Sequence, residues 1–205
     1  MTDTGTLLAK VVGPEHVLTE DGVPEEYGHD ESLAGAARRP GFVVRPATTA
    51  EVSGIVTVAA ERQLPLTARG SGTGLSGACV PAADGVVVSF ERMNQVLEID
   101  TDNHVAVVQP GVTLAELDSR TAESGLCYPV RPGEQSASVG GTVLHHGSSV
   151  AAATDIRAGF FGPGGGLTDG LDEPQSIGIN WSCERAGASG PRRRGLRRPE
   201  WAHPQ

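Results

Sequence analysis

From Phe42 onward, short apolar runs alternate with apolar stripes of helical period. "GFVVR" is an apolar run that Pro46 ends, and the next segment, "TTAEVSGIVTVAAERQ", opens with Thr48 and Glu51 in capping-box spacing. Behind that cap Val52, Ile55, Val56, Ala59 and Ala60 fall at i, i+3, i+4, i+7 and i+8, which predicts a helix with one face to bury. "LPLTA" and, from Gly85, "GVVVSF" read as two further strands. A strand, helix, strand unit of this kind predicts parallel strands joined by a right-handed crossover. "QVLEID" and "HVAVVQPG", separated by "TDN", predict a hairpin, and Thr113 with Glu116 caps a helix, "TLAELDSRTAESG", that stops at Gly125. The order predicts an α+β fold: a small parallel β-α-β sheet, then the start of a second, mostly antiparallel sheet.

The pattern stops near residue 143. "LHHGSSVAAATDIRAGFFGPGGGLTDGLDEPQSIGINWSCERAGASGPRRRGLRRPEWAHPQ" is rich in Gly, Pro, Ser and Arg and shows neither helical nor strand period. It has too few regularly spaced apolar residues to bury a face, so it is expected to be disordered. Three segments follow: 1–40, helical or irregular; 41–143, folded; and 144–205, a disordered or out-of-frame tail. The run Arg192, Arg193, Arg194, Arg197 and Arg198 reads as a solvated terminus ahead of a nucleic-acid arm. His145 and His146 are adjacent, so their side chains diverge in most backbones and no metal site is expected.

Composition narrows the classes. The chain has 205 residues, 38% hydrophobic and 20% charged, which fits one domain or part of a larger one. A net charge of −9, with no basic stripe before residue 143, argues against a nucleic-acid or anionic-membrane partner. No apolar run approaches the roughly 20 residues of a membrane span, and the acidic N-terminus lacks the features of a secretion signal, so a cytoplasmic location is expected. Cys79, Cys127 and Cys183 are odd in number, far apart and never in C-x-x-C spacing. Each is expected to be a small buried residue or a free thiol, in neither a disulfide framework nor a zinc site.

The candidate chemistry lies in "PLTARGSGTGLSGACVPAADGVVVSF", where Gly72, Gly74 and Gly77 are spaced G-x-G-x-x-G. A dinucleotide turn of the Rossmann type needs a helix directly after these glycines to receive the pyrophosphate. Here "ACVPAADG", with Pro81 and the turn pair Asp84-Gly85, leads into another strand, and Glu98, at about the right distance for a ribose contact, falls on the hairpin. A kinase loop needs a lysine on a following strand, but the chain's single lysine is Lys10; a P-loop fails because nothing reads G-K-[ST]. What remains is a loop from Gly70 to Asp84, long for a compact domain. Its four glycines from Gly70 to Gly77 let backbone N–H groups converge into an anion-binding nest suited to a phosphate-bearing ligand. A surface loop whose glycines only satisfy turns has the same composition.

Four separated segments carry a resemblance: "VVRPATTAEVSGIVTVAAERQLPLTARGSGTGLSGACVP", "VVVSFERMNQVLEID", "AVVQPGVTLAEL" and "GLCYPVRPGEQSASVGGT". In this order, from about Phe42 to Val143, they resemble the N-terminal half of the FAD-binding domain of FAD-linked oxidases. This is the vanillyl-alcohol oxidase or PCMH-type superfamily, and the glycolate oxidase D subunit and D-lactate dehydrogenase group is the most similar. The resemblance implies an incomplete PCMH-type domain. It further implies that the loop matching Arg69 to Gly77 binds the FAD diphosphate through backbone amides, while the segment matching Pro132 to Thr142 lies along the other side of the flavin. The cofactor-binding residues so implied are Arg69, Gly70, Ser71, Gly72, Thr73, Gly74 and Leu75, and Pro132, Gly133, Ser138, Gly140 and Gly141. Arg69 has two readings, neutralising phosphate or pairing with a carboxylate such as Glu134. Relatives that attach flavin covalently through this loop carry a histidine where this chain has Thr73, so noncovalent FAD is implied.

The resemblance also implies a reaction, hydride transfer from a 2-hydroxy acid of glycolate or D-lactate type to FAD, with a small-molecule substrate. It ends after "GGT", where the family continues with an Asn-Ala-Gly-Gly type stretch and a Tyr-Gly, and this chain reads "VLHHGSSVAAATDIRAG". The family's substrate-binding groups lie beyond that point, and no catalytic residue is assigned. The alternative expectation is therefore a truncated, catalytically inactive FAD-binding fragment, or a subunit needing a partner, arising by frameshift, gene truncation or a wrong gene model.

Overall fold

The computed structural model describes residues 3–19, 22–33, 36–128, 133–144 and 177–180, the last four and residues 143–144 by backbone only. Helix α1 (Thr4–Val12) leads into β1 (Val17–Thr19), which pairs antiparallel with β2 (Phe42–Val44). Helix α2 (Thr49–Glu61) follows, then β3 (Leu66–Arg69) and β4 (Val86–Ser89). The capping box of α2 is formed: the Glu51 N–H donates to Thr48 Oγ1 at 3.2 Å, and the Glu51 carboxylate accepts from the Ala47 N–H at 2.7 Å.

The first sheet has the order β1-β2-β4-β3. β2 and β3 both run parallel to β4 and are not bonded to each other, because β4 lies between them. The strands of the predicted unit are parallel, as expected; the place of β4 between them was not specified by the sequence. The reason is visible in the residues. Val86, Val87, Val88 and Ser89 of β4 are all buried, as suits a strand covered on both faces, whereas Leu66 and Ala68 of β3 are exposed, as suits an edge.

Helices α1 and α2 cover one face through Leu8, Val12 and Ile55 against Val44, Val86 and Val88. On the other face Val23 and Tyr27 pack on Val43 and Val87. The stripe of α2 is narrower than its spacing implies. Ile55 and Ala59 are buried, and half-buried Val58 packs beside them, while Ala60 is exposed.

The second sheet starts with the predicted hairpin, β5 (Val96–Asp100) and β6 (Val105–Val108), paired antiparallel. Helix α3 (Leu114–Ala122) is capped by Thr113 Oγ1, which accepts from the Glu116 N–H at 3.2 Å. Its Leu114 and Leu117 meet Ala106, Val108, Val112, Tyr128 and Val139 in a second core. Two further elements, α4 (Val139–Leu144) and β7 (Ile177–Asn180), complete the description. β7 pairs antiparallel with β6, so four residues of the stretch expected to be disordered extend this sheet. The arginine cluster and His145 and His146 lie outside the described residues.

Cys79 is a free thiol, but Cys127 is disulfide-bonded, which corrects the expectation for that residue; its partner lies outside the described residues. No described helix is long and apolar enough to cross a membrane.

Candidate functional site

No helix follows the glycines: residues 70–85 run as bends and turns into β4, so the Rossmann reading fails on structure as it did on sequence. The loop leaves the end of β3 at Arg69 and is shaped by two close approaches. A β-carbon on Gly70 would overlap Ser138 Oγ and lie 2.9 Å from Ser138 Cβ. One on Gly72, whose φ is +78°, would overlap Arg69 Nη2. Backbone here touches its neighbours where any side chain would stand.

The first of these contacts joins the two segments that the sequence singled out. The Ser138 N–H donates to Ser71 Oγ at 3.1 Å, across 67 residues. Ser138 is fixed from behind by a bridge to Thr113, by the Leu114 N–H donating to Ala137 O, and by the Val139 N–H donating to Val112 O at 2.8 Å. The turn before α3 thus holds residues 135–140, with Ser138 against the glycine-rich loop. Gly140 donates to Pro110 O at 2.9 Å, and Gly141 lies beside Ser138. Ser71 and Thr73 hydroxyls are 3.2 Å apart, and Leu75 stands exposed at the tip of the loop. Gly133, with φ +89°, is exposed and distant from these contacts, and Pro132 lies outside the described residues.

A cleft of about 240 Å³ opens between the start of the glycine-rich loop and the turn before α3. Gly70 and Ser71 form one side, Gly111, Thr113 and Glu116 another, with Glu91 and Asn94 between. Among the described residues, the amides of Ser71 to Leu75 donate no hydrogen bond, so five partly exposed N–H groups remain for a ligand. Open amides in a glycine-rich loop are the donors an anion nest uses, and the Arg69 guanidinium packed against Gly72 places positive charge beside them.

Arg69 does not take the second of its two sequence readings, the carboxylate pair. It does not pair with Glu134, whose exposed carboxylate accepts instead from the Ser136 N–H and Oγ at 2.8 and 2.7 Å. Buried at 7% exposure, Arg69 donates to the His29 carbonyl at 2.6 Å and lies over the Tyr27 ring, 5.5 Å from its centroid. Its guanidinium lies directly against Gly72. The Tyr27 hydroxyl in turn donates to Glu91 at 3.0 Å, and burial and the Glu91 carboxylate raise the phenol above its ordinary 10.0.

Residues 27–32 were not legible as part of the site, yet they bind the loop at several points. The Glu31 N–H donates to Gly74 O at 2.9 Å. Asp30, 6% exposed, accepts from the Ser32 N–H at 3.1 Å and the Cys79 N–H at 3.4 Å. Burial would raise the Asp30 carboxyl, but hydrogen bonds from Ser32, Cys79 and Gly77 outweigh it and hold the group below 3.8. The one available signal was Asp30 followed two residues later by Ser32, a local turn signature that carries no hint of Cys79, 49 residues away.

The lowered carboxyl has a pH consequence. The native state releases the Asp30 proton more readily than the unfolded chain, so its contribution is fully present above the ordinary value of 3.8 and is lost as pH falls through the lower native value. The thermal midpoint of the chain is expected to fall on acidification through that window, and less so in Asp30→Asn. Parallel pH profiles for the two would contradict it.

The arrangement fits FAD at the loop, where open amides and the buried Arg69 cation suit the diphosphate, while the adjoining cleft carries the carboxylates of Glu91 and Glu116 beside Gly111 and Thr113. Comparison with known proteins agrees. Residues 40–158 match the FAD binding domain family. An uncharacterized FAD-linked oxidoreductase of Mycobacterium tuberculosis is 51% identical over 143 residues, 70% of this chain and 31% of that protein. A D-lactate dehydrogenase of Anaerostipes hadrus is 36% identical over 143 residues, 70% of this chain and 30% of that protein. The chain thus spans about a third of the length of the curated relatives it matches. Among solved structures, 4-ethylphenol oxidase from Gulosibacter chungangensis superposes with a TM-score of 0.61 at 28% identity, over 70% of this chain and 28% of that one. The chain belongs to the FAD-binding domain family of the FAD-linked oxidases, of PCMH or vanillyl-alcohol oxidase type, and its cofactor is FAD.

Proposed function

We propose that this chain is the FAD-binding portion of an oxidoreductase that acts on a 2-hydroxy acid of the glycolate or D-lactate type, with FAD held noncovalently. One observation carries the reading: the glycine-rich loop, with its amides free from Ser71 to Leu75, is bonded directly to Ser138 of the second segment. Ser71, Gly72, Thr73, Gly74 and Leu75 hold the diphosphate through their N–H groups, with Arg69 as the charge behind Gly72. Gly70 lets the loop close on Ser138, and Gly140 and Gly141 belong to the wall along the flavin. Bound FAD supplies the oxidant that accepts a hydride from the hydroxyl-bearing carbon. The protein's part here is binding and orientation.

A second reading is favoured by coverage. The aligned stretch is 31% of the length of the Mycobacterium tuberculosis relative, so this portion works only together with polypeptide supplying the remainder of the fold, in the same chain or from a partner subunit.

The test is to purify the 205-residue chain, titrate it with FAD by flavin fluorescence, and precipitate the complex with acid. Weak, saturable binding with all flavin recovered in the supernatant is expected. A chain that takes up no flavin sinks the proposal, and flavin that stays in the pellet sinks the noncovalent part. Addition of D-lactate or glycolate with an artificial electron acceptor separates the two readings: reduction by the chain alone supports the first, and binding without reduction the second.

A further inference from the structure

We propose that residues 27–32, which precede the FAD binding domain match at 40–158, are the frame that holds the glycine-rich loop ready for its ligand, with Asp30 as the positioning residue. The inference rests on the FAD reading for what the loop receives, but the frame itself stands on contacts within the chain. The family match begins at residue 40, yet the loop is held from outside that match at both ends and in the middle. At its start Arg69 donates to His29 O at 2.6 Å, and in the middle Gly74 O accepts from the Glu31 N–H at 2.9 Å. At its end the Asp30 carboxylate accepts from the amides of Gly77 and Cys79.

These contacts divide the work in a way that loop composition alone cannot. A glycine-rich loop samples many conformers, and each must be suppressed before its amides converge. Asp30 takes the two amides on the far side of the loop, Gly77 and Cys79, and leaves those of Ser71 to Leu75 open. It acts as an internal anion that organises one end of the nest, and the other end is left for an external one. Segment 27–32 is itself anchored: Tyr27 is buried against Val43 and Val87, and Gly28 O accepts from the Arg38 N–H at 2.9 Å. Preorganisation of this kind acts on affinity by lowering the ordering cost of binding.

The experiment compares Asp30→Asn with the wild-type full chain in two independent measurements. The first is alkylation of Cys79, the free thiol among the described residues, half-buried under the loop, with Cys79→Ser as the control that assigns the signal. Removing the Asp30 charge by itself favours the thiolate, so the quantity compared is the plateau rate at high pH, where the thiolate is complete. The second is FAD affinity by fluorescence titration. Loss of hydrogen bonds to a charged group is expected to raise the plateau rate and the FAD Kd each by about tenfold or more. A wild-type plateau rate in the variant overturns the frame whether or not FAD binds, and a raised rate with unchanged Kd overturns Asp30 as a positioning residue. If the wild-type chain takes no FAD, the functional reading fails, and the alkylation rates still decide the frame. Should the variant not fold, amide hydrogen exchange in the wild-type chain decides. Protection of Gly77 and Cys79 against rapid exchange at Ser71 to Leu75 supports the proposal, and equally fast exchange at all of them overturns it.

Discussion

Substitution of Gly72 by aspartate is expected to lower FAD affinity by about a hundredfold or more. Three costs act at the same atom. The backbone there has φ +78°, which a residue with a β-carbon adopts only under strain. The added β-carbon overlaps Arg69 Nη2, so the guanidinium must move and release the His29 carbonyl that it holds at 2.6 Å. The new carboxylate then stands among the amides that meet the diphosphate, where two like charges about 4 Å apart repel by about 4 kcal/mol at an effective dielectric of 20. Pairing of the carboxylate with Arg69 would not rescue binding, because it removes the positive charge behind the nest. Gly72→Ala carries the strain and overlap without the charge and is expected to lose less. The difference between the two should shrink as salt is added. Equilibrium titration of the purified variants checks this, and wild-type flavin content in Gly72→Asp would refute the placement of the diphosphate.

The second large effect is expected at Gly70. Its missing side chain is what lets the loop lie against Ser138: a β-carbon there overlaps Ser138 Oγ and lies 2.9 Å from Ser138 Cβ. Ser138 has little room to withdraw, since it is 5% exposed and its neighbours are bonded to the turn before α3. Gly70→Ala should therefore push the two walls apart, break the bond from the Ser138 N–H to Ser71 Oγ, and weaken FAD by about tenfold or more. The double variant Gly70→Ala with Ser138→Gly removes both overlapping atoms and keeps the Ser138 backbone donor, so it should recover most of the affinity. Two costs that simply add in the double variant would show that the walls act independently and that their contact is not part of the site.

What the sequence by itself determined here is local. The capping pairs Thr48–Glu51 and Thr113–Glu116, the hairpin from Val96 to Val108 and the absence of a helix after Gly77 all depend on residues within a few positions of one another, and all are formed as read. Such features follow from backbone geometry that each short segment carries with it. The glycine spacing and the matching segments also singled out the two stretches that the structure joins at Ser71 and Ser138.

Tertiary structure alone decided three things. Insertion of β4 between β2 and β3 is decided by which strand can be buried on both faces, a comparison of Val86–Ser89 with Leu66–Arg69 made only when both compete for the centre of one sheet. The partner of Arg69 is a backbone carbonyl, and every residue has one, so no composition could mark His29. Asp30 reaches Cys79 across 49 residues because burial of Tyr27 on Val43 and Val87 brings its segment beneath the loop. A local pattern cannot encode that encounter: it exists only when two distant apolar faces are removed from water together, and the hydrogen bonds that shape the cofactor loop form where that burial happens to bring polar groups into contact.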